Sequence, residues 1–558
     1  MLSQILWPMA GTTLCYVLFQ LVQLRYRDFT SPLCHVVGPK NPSFLGNFRQ
    51  MANDAYLTDK WRNEFGNNFR FRGLFSSSEL YPADIKAINH IVTRSLIYRK
   101  APFNLENSNR ITGRGRRIIV RENGPRLYAL FTDVFQNPAF GLAQIRLVTE
   151  VFVEKVEPLF LSWRSRSPPR LRAPTVAQEN GAARIEVLSW LRRETLDVIG
   201  QAGFNYQFNA LHPGGEQSEL EHAFTDLFHS PHAQRNAAFR LAEAMVPILI
   251  FLVGISSSLV LASHLIEPKP GMKVVGNARN KMRSKASVIG GDVALGSSRT
   301  RDLLSILLKA NISKEIPESQ RLTDAEVMAQ IPTFVIAGHE TTSAATAWAL
   351  HALSSNRAAQ NQLRDEVFTI STDNPTMELN SLPYLEMVRE TMRVCSPVVY
   401  ALPLGKPYID KSGKAHDSLP IRKGQVIHVP ILAINTDKNI WGPDAGKFRS
   451  FDKSVPDAAS QIPSIWVNLL TFYAGTHNCI GFRFAFVEMK ALLFTLICVF
   501  ELEPAVPEGG IGRIASLLQR PTVLAEAGKG SQFPMIGETN QCARFVGLLD
   551  FDVVIGLV

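Results

Sequence analysis

Apolar and polar positions recur at helical spacing through most of residues 50–370, with clear examples over Ile185–Gly200 and Leu303–Asn311. The sharpest helix signal begins at Thr323. Thr323-Asp324-Ala325-Glu326 places a hydroxyl where it can accept free backbone N–H groups and an acid three residues later, a capping box. A nearly unbroken apolar run then reaches Ser354. Such a run predicts one helix of about 45 Å, enough to cross a whole domain at roughly 1.5 Å per residue. Pro332 interrupts it, and so does Ala337-Gly338-His339-Glu340-Thr341-Thr342. A carboxylate and two hydroxyls inside a core helix are costly unless paired or used. Short strands and turns are expected from Pro397 to Ser418, where Pro403, Gly405 and Pro407 break the pattern and Lys411-Ser412-Gly413-Lys414 reads as a turn. The expected fold is mainly α with small β-sheets lying mostly in the C-terminal half. Arg279–Arg299 reads as a polar surface loop.

Two long uncharged runs bear on membranes. Met1–Leu24 carries no charged side chain and is long enough to span a hydrocarbon core of roughly 30 Å. Arg25 and Arg27 follow at once and would hold that end on the cytosolic side. Neither a basic start nor a small-residue cleavage site favours a cleaved signal peptide. Residues 1–24 are therefore expected to be a retained single-pass anchor, and 25–49, with Pro32, Gly38, Pro39 and Pro42, a hinge. Met245–Ile266 also lacks Asp, Glu, Lys and Arg. A second crossing there would put the two halves of the body on opposite sides of the membrane. That run is expected to be buried or to dip into the membrane surface.

Composition narrows the classes. Hydrophobic residues make up 46% of the 558 and charged residues 19%, which fits a large core and excludes a disordered chain. The net charge of +10 is spread along the chain, with no basic run suited to nucleic acid. Charge alone favours an ordinary solvated surface; as a functional face it suits an anionic membrane or an acidic protein partner better. The six cysteines are scattered, without a Cys-x-x-Cys pair, so neither a zinc site nor a disulfide framework is indicated. A single cysteine with a chemical role remains open.

Phe472-Tyr473-Ala474-Gly475-Thr476-His477-Asn478-Cys479-Ile480-Gly481 supplies that candidate, just before an apolar helix over Phe484–Phe500. Backbone N–H groups at a helix start stabilise a thiolate. Gly475 and Gly481 permit tight backbone geometry and close approach of a flat cofactor. Upstream, Glu390 and Arg393 stand three apart on one helix face and can pair.

These three segments, in this order, resemble the cytochrome P450 family. The cysteine segment matches its haem-binding pattern Phe-x-x-Gly-x-(Arg or His)-x-Cys-x-Gly at every fixed position. The resemblance, which covers about residues 30–536, includes Asn137-Pro138-Ala139-Phe140-Gly141 and Leu188–Leu211, similar to fungal members. It implies one large haem domain over 50–536, with 537–558 an atypical tail. It implies haem b, with Cys479 as axial iron ligand, His477 facing a propionate, and Phe472, Gly475 and Gly481 shaping the loop. Gly338 would make room for dioxygen, and Thr341 with Glu340 would deliver protons. Phe334, Ala337 and Thr341 would face the pocket, with Val398 and Val399 opposite. Glu390 and Arg393 would be structural.

The implied activity is insertion of one oxygen atom of O2 into an apolar substrate, in secondary metabolism or detoxification. NADPH would act through cytochrome P450 reductase, with cytochrome b5 as a further partner, at the endoplasmic reticulum membrane with the haem domain cytosolic. The alternatives are oxygen-independent or peroxide-driven chemistry, or a haem-compromised inactive variant. Three segments depart from the family pattern. Gly124–Phe135 has only Arg126 as a basic residue, Val398–Pro403 lacks a basic propionate contact, and Phe448–Lys453 lacks the arginine that joins Glu390 and Arg393, leaving Lys453 nearest. Weak haem binding is the consequence expected of them.

Overall fold

The computed structural model describes residues 28–43, 56–73, 76–94, 140–164, 183–211, 324–369, 387–394, 408–416, 424–448, 455–513, 519–529 and 531–539, with short pieces and single positions between them. Helices α1 (Leu57–Phe65), α2 (Ile85–Val92), α3 (Leu142–Arg164) and α4 (Val187–Phe204) are followed by α5 (Asp324–Ser354), α6 (Arg357–Val367), α7 (Met387–Val394), α8 (Ile431–Asn435), α9 (Lys438–Trp441) and α10 (Phe482–Val499). The sheets are small. Strands β1 (Asn68–Arg72) and β2 (Ser78–Pro82) form an antiparallel hairpin, and so do β5 (Tyr408–Ile409) with β6 (Ala415–His416) and β8 (Ile511–Arg513) with β9 (Pro521–Val523). A four-stranded sheet has the order β3 (Val176–Ala177), β4 (Ala183–Glu186), β10 (Pro534–Thr539), β7 (Phe500–Pro504). It joins strands from both halves of the chain, so sheet is less confined to the C-terminal half than the sequence pattern implies.

Helix starts follow side-chain chemistry. Glu186 accepts the Ser189 N–H at the start of α4 at 2.7 Å, and Asn356 accepts the Ala359 N–H at the start of α6 at 3.1 Å. At its other end α4 stops in a left-handed residue, Asn205, with φ 46°. Helix α5 runs 31 residues through Pro332 and ends at Ser354, where the apolar run ends. Its expected cap, Thr323, lies outside the described residues. The core is one cluster in which α5 packs on α4 and α10, and α3 packs on α4 and α10. Phe152 of α3 meets Phe484 of α10 edge to face at 4.8 Å.

Two expected boundaries shift. Most of the hinge expected over 25–49 belongs to the folded body. Leu33 and Val36 are fully buried, the Arg70 N–H donates to the Val37 carbonyl at 2.9 Å, and Arg72 pairs with Asp28. Two apolar side chains and these ties to β1 fasten it despite its prolines. At the other end β10 continues to Thr539, past the boundary expected at 536. Gly537, Glu538 and Thr539 pair with Leu502, Glu501 and Phe500, so the start of the expected tail is the edge-to-edge partner of β7.

Among the described residues no helix is long and apolar enough to cross a membrane. The anchor expected over 1–24 lies largely outside them, and positions within it such as Leu18, Phe19 and Val22 are helical and exposed. The run 245–266, the loop 279–299 and the tail beyond 539 lie outside the described residues.

Candidate active site

The cysteine loop is built from two short 3-10 turns, Leu470–Phe472 and Gly475–His477, leading into α10. Its path needs unusual backbone geometry. Tyr473 has φ 60° and Gly475 φ 65°. At Gly475 a Cβ would stand 2.2 Å from the Val92 carbonyl oxygen at the end of α2, so only glycine fits, and the close approach is to backbone. The Cys479 N–H donates to the Phe472 carbonyl at 2.8 Å and the Asn478 N–H to the Gly475 carbonyl at 3.2 Å, which close the loop on itself. Phe472 is buried, with its ring against Trp466 and Phe482.

Cys479 is exposed, although Phe472, Ala474 and Phe484 around it are buried. The sulfur therefore faces open space at depth within the body. That depth pushes the thiol up to about 11 by burial, against the Gly481 N–H, which lies on the sulfur and favours the thiolate. Burial outweighs this single N–H, so a full thiolate at neutral pH needs a cation on the sulfur. The positive end of the 18-residue α10 points the same way. Gly481 leaves its surroundings open, with Phe140 Cε1 at 3.7 Å the nearest atom to a Cβ there. His477 is half-buried.

Helix α5 contributes a second wall. Ala337 is exposed and Thr341 half-buried, whereas His339, Glu340 and Thr342 are buried. Phe334 is buried too, its ring 5.7 Å from that of Phe140, which also lies 6.5 Å from Phe484. Phe140 thus links α5 to the start of α10, and Phe334 packs against it. The Thr341 hydroxyl donates to the Ala337 carbonyl one turn back. Glu340 turns toward other partners. Arg520 donates to its carboxylate at 2.8 Å, with His339 Nε2 at 3.4 Å and Arg192 Nε at 4.0 Å.

Gly338, expected to make room for dioxygen, has a neighbour where its own side chain would lie. A Cβ there would meet Ile199 Cγ1 at 2.9 Å and Cδ1 at 3.0 Å. The notch on α5 is filled by a side chain from α4, because the two helices approach closely at this point. Thr195 of α4 secures the approach by donating to the His339 carbonyl at 3.0 Å.

Glu390 and Arg393 come together as a forked pair, with Nε to Oε2 at 2.8 Å and Nη2 to Oε1 at 2.6 Å. The fully buried Arg393 also donates to the carbonyls of Asn435 at 3.0 Å, Ala445 at 2.5 Å and Lys447 at 2.9 Å. The guanidinium lies 5.3 Å from the Trp441 ring centroid. Thr471, next to Phe472, donates to the Met392 carbonyl at 2.6 Å. The pair thereby ties α7 to the segment carrying the cysteine loop. Lys453 lies outside the described residues, as do 124–135, Val398 and Val399. Arg520, Arg192, Thr195 and Ile199 were not foreseeable as site neighbours: an arginine before a proline, or an isoleucine in an amphipathic helix, carries no such signal.

A lone soft sulfur donor, exposed in an otherwise buried setting before a helix, fits an iron whose remaining ligands come from a macrocycle. Among the described residues no group of three or more His, Cys, Asp or Glu could hold a bare metal ion. The family described as Cytochrome P450 matches residues 153–517. Cytochrome P450 monooxygenase 128 of Postia placenta is 39% identical over 95% of this chain and 97% of its own length, and cytochrome P450 monooxygenase 205 of the same fungus is 38% identical over the same shares. Cytochrome P450 monooxygenase claQ of Ampulloclitocybe clavipes is 29% identical over 93% of this chain and 95% of its own length. The chain belongs to the cytochrome P450 family. Its class is accordingly that of the haem-dependent monooxygenases.

Proposed function

We propose that Cys479 would hold the iron of a haem b through its sulfur, and that the chain uses this haem to insert one atom of O2 into an apolar organic substrate. The observation that carries the reading is the exposed Cys479 sulfur, held by the Gly481 N–H in a loop closed by its own backbone bonds. When bound, the haem supplies the oxygen-activating chemistry, tuned by electron donation from the thiolate. His477 faces a propionate. Phe472 covers the loop, and the exposed Ala337 and half-buried Thr341 line the side where oxygen and substrate meet. Thr341 holds and passes a proton through its hydroxyl. Glu340 is the acid that resupplies it, held in reserve by Arg520. Gly338 is assigned to helix packing against Ile199.

The electrons come from NADPH through cytochrome P450 reductase, with cytochrome b5 as a second donor. Residues 1–24 anchor the chain in the endoplasmic reticulum membrane, with the haem domain cytosolic. The uncharged length of that segment and Arg25 and Arg27 after it support this. An anchored enzyme suits substrates that partition into lipid, in secondary metabolism or detoxification. Co-expression with a reductase and a panel of apolar substrates tests the activity. NADPH- and O2-dependent hydroxylation is expected. Thr341→Ala should keep consuming NADPH while releasing peroxide in place of product. Product formation unchanged in Thr341→Ala would overturn the oxygen-activating role and favour peroxide-driven or oxygen-independent chemistry.

A further inference from the structure

Two buried carboxyl groups lie outside the machinery described so far. Glu194 of α4 and Glu488 of α10 are 0% and 1% exposed. All four of their carboxyl oxygens are buried without a hydrogen-bond partner, and so is the hydroxyl of Thr342 on α5, itself 1% exposed. Helices α4 and α10 both pack on α3 and α5, and each buries its glutamate in that assembly, near enough for the charge of Glu488 to act on Glu194. An ionised carboxylate is acceptor-only, so two ionised carboxylates have no donor to share. One hydroxyl, that of Thr342, cannot serve four carboxyl oxygens, and a proton on one of the carboxyls supplies a further donor.

Among the described residues, the charged groups on the elements around the seam have partners of their own or are exposed. On α4, Asp197 accepts the N–H groups of Ala210 and Leu211, Arg193 lies over Trp190, and Arg192 leans toward Glu340. On α5, His339 and Glu340 belong to the Arg520 cluster. On α10, Lys490 lies over the Phe486 ring, and Arg483 is exposed over Phe482. On α3, Arg146, Glu150 and Glu154 are exposed and Lys155 pairs with Glu154. Among the described residues on elements against α10 and α5, Arg364 donates to the Ile497 and Phe500 carbonyls, Arg393 pairs with Glu390, Arg357 pairs with Glu501 and Glu503, and Arg389 of α7 has a partner of its own.

We infer that Glu194 and Glu488 form a buried proton-binding site, a carboxylic-acid pair that holds at least one proton at neutral pH and joins α4 to α10 beside Thr342. The Thr342 hydroxyl is the neutral donor available to Glu488. Burial pushes both carboxyls well above the usual range; at Glu194 the neighbouring Glu488 and Asp197 charges add to it, whereas Thr342 opposes it at Glu488. Among the described residues no cation is among these influences, and protonation removes the charge. The unfolded chain ionises these groups at about pH 4.3 and the folded chain only at higher pH. Stability is therefore unaffected below that point and declines as pH rises toward the folded values.

The test uses the full-length, haem-loaded chain. In the wild type with 13C-labelled glutamate, the infrared spectrum at neutral pH should contain the carbonyl stretch of a protonated, water-excluded carboxylic acid. Glu194→Gln and Glu488→Gln keep size and polarity while removing the titration. Each should melt at the wild-type temperature near pH 4 and above it near pH 9, with a flatter profile between. A spectrum without the protonated-acid band overturns the proposal, even if neither variant folds. So does a Glu194→Gln chain that is less stable at neutral pH with an unchanged pH profile, the result expected if an ionised pair holds a cation.

Discussion

Replacing Arg393 by alanine removes the forked partner of Glu390, one of its interactions, and the donors to three main-chain carbonyls, at Asn435, Ala445 and Lys447. Truncating one member of a buried ion pair costs about 3–5 kcal/mol, because the other charge is left uncompensated. The three carbonyls would each lose a charge-assisted bond of roughly 1.5–3 kcal/mol before water enters the space. Water admitted to that space and the partial exposure of Glu390 reduce the total, so a net loss of about 4 kcal/mol is the working figure. That is about a thousandfold in the folding equilibrium. Glu390→Gln keeps Arg393 on its carbonyls but leaves the buried guanidinium without its counter-charge, so it should cost somewhat less than Arg393→Ala, by the carbonyl bonds it spares. Arg393→Lys keeps the charge but cannot fork and should fall between the two. Urea unfolding followed by circular dichroism and haem absorbance measures all three. If Arg393→Ala lost less than about 1 kcal/mol and kept the haem, the pair would not be what holds α7 to the cysteine-loop segment.

Other changes follow from single distances. Gly475→Ala would place a Cβ 2.2 Å from the Val92 carbonyl oxygen at φ 65°, and should yield a chain that purifies without haem although no side chain on Cys479 has changed. Haem content at the wild-type level would contradict this. Gly338→Ala gains helix propensity of about 1 kcal/mol but crowds Ile199, for a net loss of about 1 kcal/mol in thermal unfolding. The loss should disappear in an Ile199→Ala background, so a purely additive double variant would refute the contact. Burial holds the ring of His351, set between Trp348 and Phe533, below its usual range. The unfolded chain therefore binds a proton first as pH falls, and stability drops below about pH 6.5. His351→Leu should remove that part of the acid dependence in a pH series of melts.

What could be read from the residues is what depends on neighbours in sequence. The ends of α5, the pairing of Glu390 with Arg393 three residues on, and the glycine-bounded cysteine loop are all local patterns. The rest depends on tertiary contact. Glu390's partner was legible, but not that Arg393 would reach carbonyls 42, 52 and 54 residues away. Glu340 reads as a relay acid, yet the group on its carboxylate is Arg520, 180 residues distant. Gly338 reads as an opening because a missing side chain does not say which neighbour will enter the space. The segment 25–49 reads as a linker from its prolines, but Leu33 and Val36 find a core there. Glu194 and Glu488 look like ordinary helix-surface glutamates until three helices close over them.

The central claim concerns one sulfur atom. The most direct measurement is the absorption spectrum of the reduced, carbon monoxide-bound protein, taken for the full chain and for Cys479→His. The wild type should show the Soret band at the long-wavelength position of thiolate-ligated haem, with an amplitude that reports how far the altered segments 124–135, 398–403 and 448–453 weaken haem retention. Cys479→His should move the band to the shorter-wavelength position of imidazole ligation. A wild-type band already at that shorter position, or a long-wavelength band that survives the substitution, would contradict Cys479 as the iron ligand.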